Sequence, residues 1–141
     1  MSEWAALDET LTPEPLFVVE APDKKPGTEL QRQATLLKLL RHLAPDVIAY
    51  ANTNGTHIAS LAGRAKANRE GRTIGAPDLT VVWNRGVAWI EMKAGKGDLN
   101  PAQIDFGNRL HRAGQHVGCF RDPMSALEWL RSLGAPVRTA Q

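Results

Sequence analysis

Asp78, Glu91 and Lys93 are the residues in this chain whose types and spacing can do hydrolytic chemistry. Asp78 sits in Gly75-Ala76-Pro77-Asp78-Leu79, and Glu91-Met92-Lys93 follows with twelve residues between the two acids. Two carboxylates held together can share a hard divalent cation, which takes oxygen ligands and keeps several waters. Such an ion activates a bound water and stabilises charge on a phosphoryl group under attack. A lysine beside it can orient the water or neutralise the developing charge. With no cation, two adjacent acids oppose each other's ionisation and one takes a raised pKa.

Something must bring the three together. Residues 79–83 and 87–92 are β-rich runs, and Asn84-Arg85-Gly86 between them reads as a hairpin turn. Residues two apart on a strand share a face, so Glu91 and Lys93 point the same way, with Trp89 behind them. Ala88, Ile90 and Met92 point to the other face. A turn of two or three loop residues leaves the register open by one position. In either case Asp78 falls opposite residues 91–93. Both hairpin faces are largely apolar, which predicts a sheet covered on both sides.

The flanking pattern predicts the covering. Thr28 and Gln31 fit a capping box for a helix whose stripe is Leu30, Ala34, Leu36, Leu37, Leu40 and Leu43, stopped by Pro45. A strand follows over 47–50 and a turn over Asn52-Thr53-Asn54-Gly55. A short helix near 57–68 and a basic loop come next. Asn100-Pro101 opens another helix, with Ile104, Phe106, Leu110 and Ala113 as its contacts and Gly114 as its stop. Residues 116–120 read as a strand, and Asp122-Pro123 caps a last helix carrying Leu127, Leu130 and Leu133. The order is α-β-(basic segment)-β-β-α-β-α, an α/β chain. Upstream, Leu16-Phe17-Val18-Val19 could form a short strand in a segment otherwise interrupted by prolines.

The chain has 141 residues, one domain's worth, and its single cysteine excludes an internal disulfide. No apolar run approaches the roughly 20 residues of a membrane span, and the acidic N-terminus is unlike a secretory signal. These features predict a soluble intracellular protein. The net charge of +2 hides an asymmetry. Residues 1–23 carry six acids and no lysine or arginine, −6; residues 24–72 carry nine bases and three acids, +6; residues 73–141 carry eight bases and six acids, +2. The acidic segment 1–27 therefore reads as an arm ahead of a domain at 28–141. A basic middle can attract a polyanion. Arg64, Lys66, Arg69 and Arg72 directly precede the Pro-Asp-Leu motif, and Lys96 and Asn100 follow Lys93. These six are the candidates for contacts to DNA phosphates.

Other residues have plainer readings. Gln103 can close a capping box with Asn100, serve the site, or do both. Glu29 lies in a first helical turn, where an acid favours the dipole. The four histidines lack metal-ligand spacing. Cys119 reads as a buried thiol, and Trp83, Trp89 and Trp129 as packing residues.

Gly75-x-Pro77-Asp78-Leu79, Glu91-x-Lys93 and Gln103 on the next helix resemble the PD-(D/E)xK nuclease superfamily. More narrowly, they resemble its VRR-NUC (virus-type replication-repair nuclease) domain of stand-alone phage or bacterial type, over about residues 28–121. The resemblance implies a restriction-endonuclease-like αβββαβ core, a mixed sheet flanked by helices, and DNA hydrolysis dependent on Mg²⁺ or Mn²⁺ that leaves a 5′-phosphate. It adds Glu29, the acid on the first helix, and the Met92 backbone carbonyl to the metal ligands Asp78 and Glu91. Asp78, Glu91, Lys93 and Gln103 become the catalytic set, with Gln103 orienting Lys93 or a phosphate oxygen. It implies action on Holliday junctions or other branched DNA in replication, repair or recombination, by a homodimer in the cytoplasm of a bacterial or phage-infected cell. Two alternatives stand beside it: a non-catalytic DNA-binding module on the same fold, and a nuclease for linear duplex or single-stranded DNA.

Overall fold

The computed structural model describes residues 13–52 and 75–139. In chain order the elements are β1 (Val18–Val19), α1 (Glu29–Leu43), β2 (Ile48–Ala51), β3 (Leu79–Trp83), β4 (Gly86–Met92), α2 (Pro101–Arg112), β5 (His116–Phe120) and α3 (Pro123–Ser132). One five-stranded sheet runs β1-β5-β4-β3-β2. The β2–β3 and β3–β4 pairs are antiparallel, and β4–β5 and β1–β5 are parallel, so the sheet is mixed. From α1 to β5 the order is the αβββαβ core that the resemblance implies. The helix expected near 57–68, and Arg64, Lys66, Arg69 and Arg72 with it, lie outside the described residues.

Each helix starts where the sequence places a cap. Thr28 and Asn100 both close full capping boxes, with Gln31 and Gln103, and Asp122 accepts from the Met124 amide. A good cap contributes about 1 kcal/mol. The alternation along β4 sorts the core into two layers. Ala88, Ile90 and Met92 join Val81 and Leu79 under Leu36 and Leu40 of α1 and Leu127 and Leu130 of α3. On the other face Trp89 packs with Phe17, Val117, Cys119, Leu99 and Leu110. Burying one such aliphatic side chain contributes roughly 2 kcal/mol. The sheet is therefore covered on both faces, and its strand ends are left for polar chemistry.

The hairpin register closes on the tighter of its two options. Trp83 pairs with Gly86, leaving Asn84 and Arg85 as the loop, and Leu79 pairs with Ile90. Arg85 takes φ 68°, a left-handed conformation that costs a non-glycine residue roughly 1 kcal/mol.

Part of the acidic N-terminal segment is built into the sheet. The strand expected from Leu16 to Val19 forms over its last two residues, which pair with Gly118 and Cys119. Phe17 is buried, and Asn108 of α2 bonds the Leu16 amide and the Glu14 carbonyl at 2.7 and 2.9 Å. One Glu20 carboxylate oxygen accepts both the Arg121 and Asp122 amides at 2.7 Å. The boundary that charge suggests at residue 27 thus runs through packed structure.

Arg32 belongs to the same junction. Counted by sequence within the basic stretch, it is buried on α1 and makes no surface charge. It donates to the carbonyls of Gly27, Lys25 and Arg121 and pairs with the Asp23 carboxylate at 2.8 Å. The cost of burying a guanidinium is several kcal/mol. Four bonds from a charged donor, at roughly 1.5–3 kcal/mol each, offset it. Its hydrogen bond holds the Asp23 carboxyl below the usual range.

Candidate active site

The register just described sets the site. With Leu79 opposite Ile90, the next residues outward are Asp78 and Glu91. The two exchange hydrogen bonds across the end of the hairpin. The Asp78 amide donates to Glu91 Oε2 at 3.0 Å, and the Met92 amide donates to Asp78 Oδ2 at 2.9 Å. Asn52, just past β2, steadies the Asp78 strand. Its amide donates to the Asp78 carbonyl at 2.7 Å and its side chain donates to the Pro77 carbonyl at 2.9 Å. Sequence reading took Asn52 for a turn residue only; nothing local distinguishes the two uses.

Glu91 is 4% exposed, and both of its carboxylate oxygens are engaged, since Gln103 Nε2 donates to Oε1 at 2.5 Å. The other atom of the same amide, Gln103 Oε1, accepts the Asn100 amide at 2.9 Å. Capping and site contact are therefore one arrangement: the capping box fixes the Gln103 rotamer and the free end of the amide reaches Glu91. Lys93 is 8% exposed. Its ammonium lies 4.0 Å from Glu91 Oε1 and 3.7 Å from Glu29 Oε1, bringing the first turn of α1 to the site. Glu29 itself is half-exposed at the rim.

The electrostatics follow from burial. Desolvation pushes the Glu91 carboxyl up to about 9, and the neighbouring Asp78 carboxylate adds to the rise. Desolvation also raises Asp78, against the Met92 amide that favours its charged form. The buried Glu91 and the partly buried Asp78 thus hold fewer charges than they could, and an added cation would be bound with proton release. Cys119, paired with Glu91 in the β4–β5 register, is buried and its thiol is pushed up to about 12, which leaves it inert.

The donor set suits a hard cation held through an open site. Among the described residues no group of three or more His, Cys, Asp or Glu side chains is placed to hold a metal ion, so the protein would offer the pair Asp78 and Glu91. Mg²⁺ commonly takes one or two carboxylates and completes its shell with water and substrate phosphate. The Met92 carbonyl is disposed to join. The Met92–Lys93 peptide is trans, and its N–H points into β5 toward the Phe120 carbonyl at 2.9 Å. Planarity then directs its C=O away from β5, to the side where Asp78 lies.

Gly75 brings the Pro77-Asp78 segment against α2. Its φ is +92°, and a Cβ there would lie 2.5 Å from the Ala102 carbonyl oxygen. Gly75→Ala is expected to lower stability by about 2 kcal/mol or more, since left-handed strain and a backbone clash add. Urea unfolding checks this, and an unchanged midpoint would show that the 75–78 segment is not held as described.

Lys96 is exposed on the turn after Lys93, and Asn100 is at the cap with its side-chain oxygen committed to the Gln103 amide. The sequence reading thus brings together Glu29, Asp78, Glu91, Lys93 and Gln103. It missed Asn52, Arg32 and Arg121, whose roles depend on partners far along the chain.

The family model described as VRR-NUC domain matches residues 17–121. No curated protein and no solved structure matches the chain.

Proposed function

The chain belongs to the VRR-NUC domain family, a nuclease family, and on that premise we propose that it is an endonuclease that hydrolyses DNA phosphodiesters with Mg²⁺ or Mn²⁺. The observation that carries this reading is the junction of Asp78, Glu91, Lys93 and Gln103 at one strand end, with Glu29 across the lysine. Asp78, Glu91 and the Met92 carbonyl would hold the ion in this reading, and Glu29, the acid that the resemblance adds, stands beyond Lys93 at the rim. A divalent cation bound there supplies charge to acidify a water and to stabilise the pentavalent transition state.

The remaining steps fall to the chain's own groups. Lys93 orients the attacking water and offsets charge building on the phosphoryl oxygens. Gln103 keeps Glu91 turned toward Asp78 and prevents its oxygen from swinging to Lys93. Lys96 supplies a contact to the phosphate backbone in this reading, and Arg64, Lys66, Arg69 and Arg72, before the motif in sequence, are the further candidates. Asn100 anchors the helix whose N-terminus abuts the site.

The substrate in this reading is branched DNA, taken by a two-fold dimer in a replication, repair or recombination reaction. Support comes from symmetry: a two-fold dimer matches a two-fold junction. The test is a panel of labelled junction, flap, duplex and single-stranded DNA in Mg²⁺, Mn²⁺ and EDTA, with the mass of the protein taken by light scattering. Metal-dependent cutting that is fastest on the branched substrates, by a particle of two chains, is expected. Tight junction binding with no cleavage in either metal would favour the non-catalytic module. A duplex or single strand cut faster than the junction, or a monomeric mass at micromolar concentration, would remove the corresponding part of the proposal.

A further inference from the structure

Arg121 follows β5 directly, and it is 2% exposed. Its Nε donates to the Gly95 carbonyl at 2.9 Å, one terminal nitrogen donates to Gly97 O at 2.6 Å, and the other donates to Glu20 O. The carboxylate it approaches is Asp98, 4.0 Å away and 89% exposed. The guanidinium is therefore satisfied by main-chain carbonyls and barely neutralised by an acid. A well-packed apolar side chain could fill such a volume without the cost of burying a charge. Only the planar fork of an arginine, however, reaches three carbonyls in fixed directions.

The fork holds the connection between Lys93 and Asn100. Within it Gly97 N donates to Ala94 O at 2.9 Å, closing a tight turn in which Gly95 has φ +51°. A Cβ on Gly97 would lie 3.7 Å from Glu29 Oε1, so the turn lies against the carboxylate that faces Lys93. Upstream, the Lys93 amide is fixed to Phe120 O at 2.9 Å. Downstream, Asn100 caps the helix from which Gln103 reaches Glu91. The length and direction of this turn thus set where the Lys93 ammonium and the Gln103 amide stand relative to each other.

We propose that Arg121 is a positioning residue for the reaction: by gripping Gly95 and Gly97 it holds Lys93 and Gln103 on either side of Glu91. This rests on the nuclease reading above, and Arg121 acts through the turn without touching DNA or metal.

The test compares the parent with R121K and R121Q. Three quantities are read: the single-turnover cleavage rate at saturating Mg²⁺, DNA affinity in Ca²⁺, and the thermal midpoint. Expected is a loss of rate of about a hundredfold in R121Q, the scale of a misplacement near 1 Å, with affinity unchanged. R121K keeps the charge but not the fork, and is expected to recover only part of the rate. A merely structural arginine would lower the midpoint in both variants and leave the rate of folded protein at saturation untouched, which overturns the proposal. A weaker affinity with an unchanged rate overturns it too, by making Arg121 a DNA contact. Should R121Q fail to fold, R121K carries the comparison. A parent that cuts no DNA in either metal defeats the nuclease reading instead. The clamp is then read by amide exchange in R121K: Gly97 is expected to exchange at least about tenfold faster while Val81 and Ile90 keep their protection. Equal protection at Gly97 would overturn the clamp itself.

Discussion

Lys93→Ala is expected to slow DNA cleavage at saturating Mg²⁺ by about a thousandfold while the protein stays folded and binds DNA in Ca²⁺ as the parent does. Lys93 is 8% exposed, yet its ammonium emerges between Glu29 and Glu91. A lysine needed only for packing would lie along apolar surface with its head in water. Here the head is turned to two acids at the strand end where a phosphate would meet them. The Lys93 and Glu91 side chains are both largely buried, 10% and 6% exposed, so removing the lysine is expected to lower stability as well, by roughly 3 kcal/mol. The rate is therefore read on protein held well below its thermal midpoint, where the loss of cleavage is expected to exceed any loss of folded fraction. A drop in thermal stability that accounts for the whole loss of activity would count against the role given to Lys93.

Glu91→Gln is the second large effect, and at pH 8 it has opposite signs for stability and for activity. The folded Glu91 carboxyl is pushed up to about 9, against 4.5 for an ordinary glutamate. Between those values the folded protein keeps a proton that the unfolded chain has released. Stability from this group therefore falls as pH rises through that window, and is undiminished below its lower end. At pH 7 the cost is roughly 3 kcal/mol. A glutamine is neutral throughout and removes it, but its NH2 must face one of the two N–H donors that the Glu91 oxygens accept, which costs about 1–3 kcal/mol. The metal-free variant should be less stable than the parent near pH 4, overtake it by pH 8, and be flatter in its pH profile between. Cleavage should fall by about a hundredfold or more if Glu91 holds the metal as proposed. The parent should gain thermal stability from millimolar Mg²⁺, more at pH 8 than at pH 5, and the variant should lose most of that gain. Equal Mg²⁺-induced shifts in parent and variant would show that Glu91 does not hold the ion.

The hairpin was legible because three local signals agree on it: two β-rich runs, a turn-forming tripeptide, and alternation that leaves Glu91 and Lys93 on one face. The register was open by one, and the two-residue loop with a strained Arg85 resolved it. Caps were legible for the same reason, since a capping box spans four residues and needs no distant partner. Gln103 shows where a local rule and a long-range role coincide, because the rotamer that caps α2 also reaches Glu91.

What the sequence hid is long-range. Arg32 and Arg121 carry charges that simple counting assigns to the surface. Both are buried because main-chain carbonyls converge on them, among them those of Gly27, Gly95 and Gly97, residues unremarkable in themselves. Glu20 and Asp23 were counted as an acidic arm, yet one binds the backbone after β5 and the other pairs with Arg32. Charge runs mark solvated segments only when no buried partner exists for them. Of the described residues in that segment, Glu20 and Asp23 each have one. Among the described residues no helix is long and apolar enough to cross a membrane.

The measurement that tests the central claim most directly is the single-turnover cleavage of one labelled four-way junction by purified protein, in Mg²⁺ and in EDTA, beside Lys93→Ala. Cutting by the parent that vanishes in EDTA and falls about a thousandfold in the variant is expected. Cutting that survives EDTA, or a Lys93→Ala protein as fast as the parent, would contradict a metal-assisted site built from Asp78, Glu91 and Lys93.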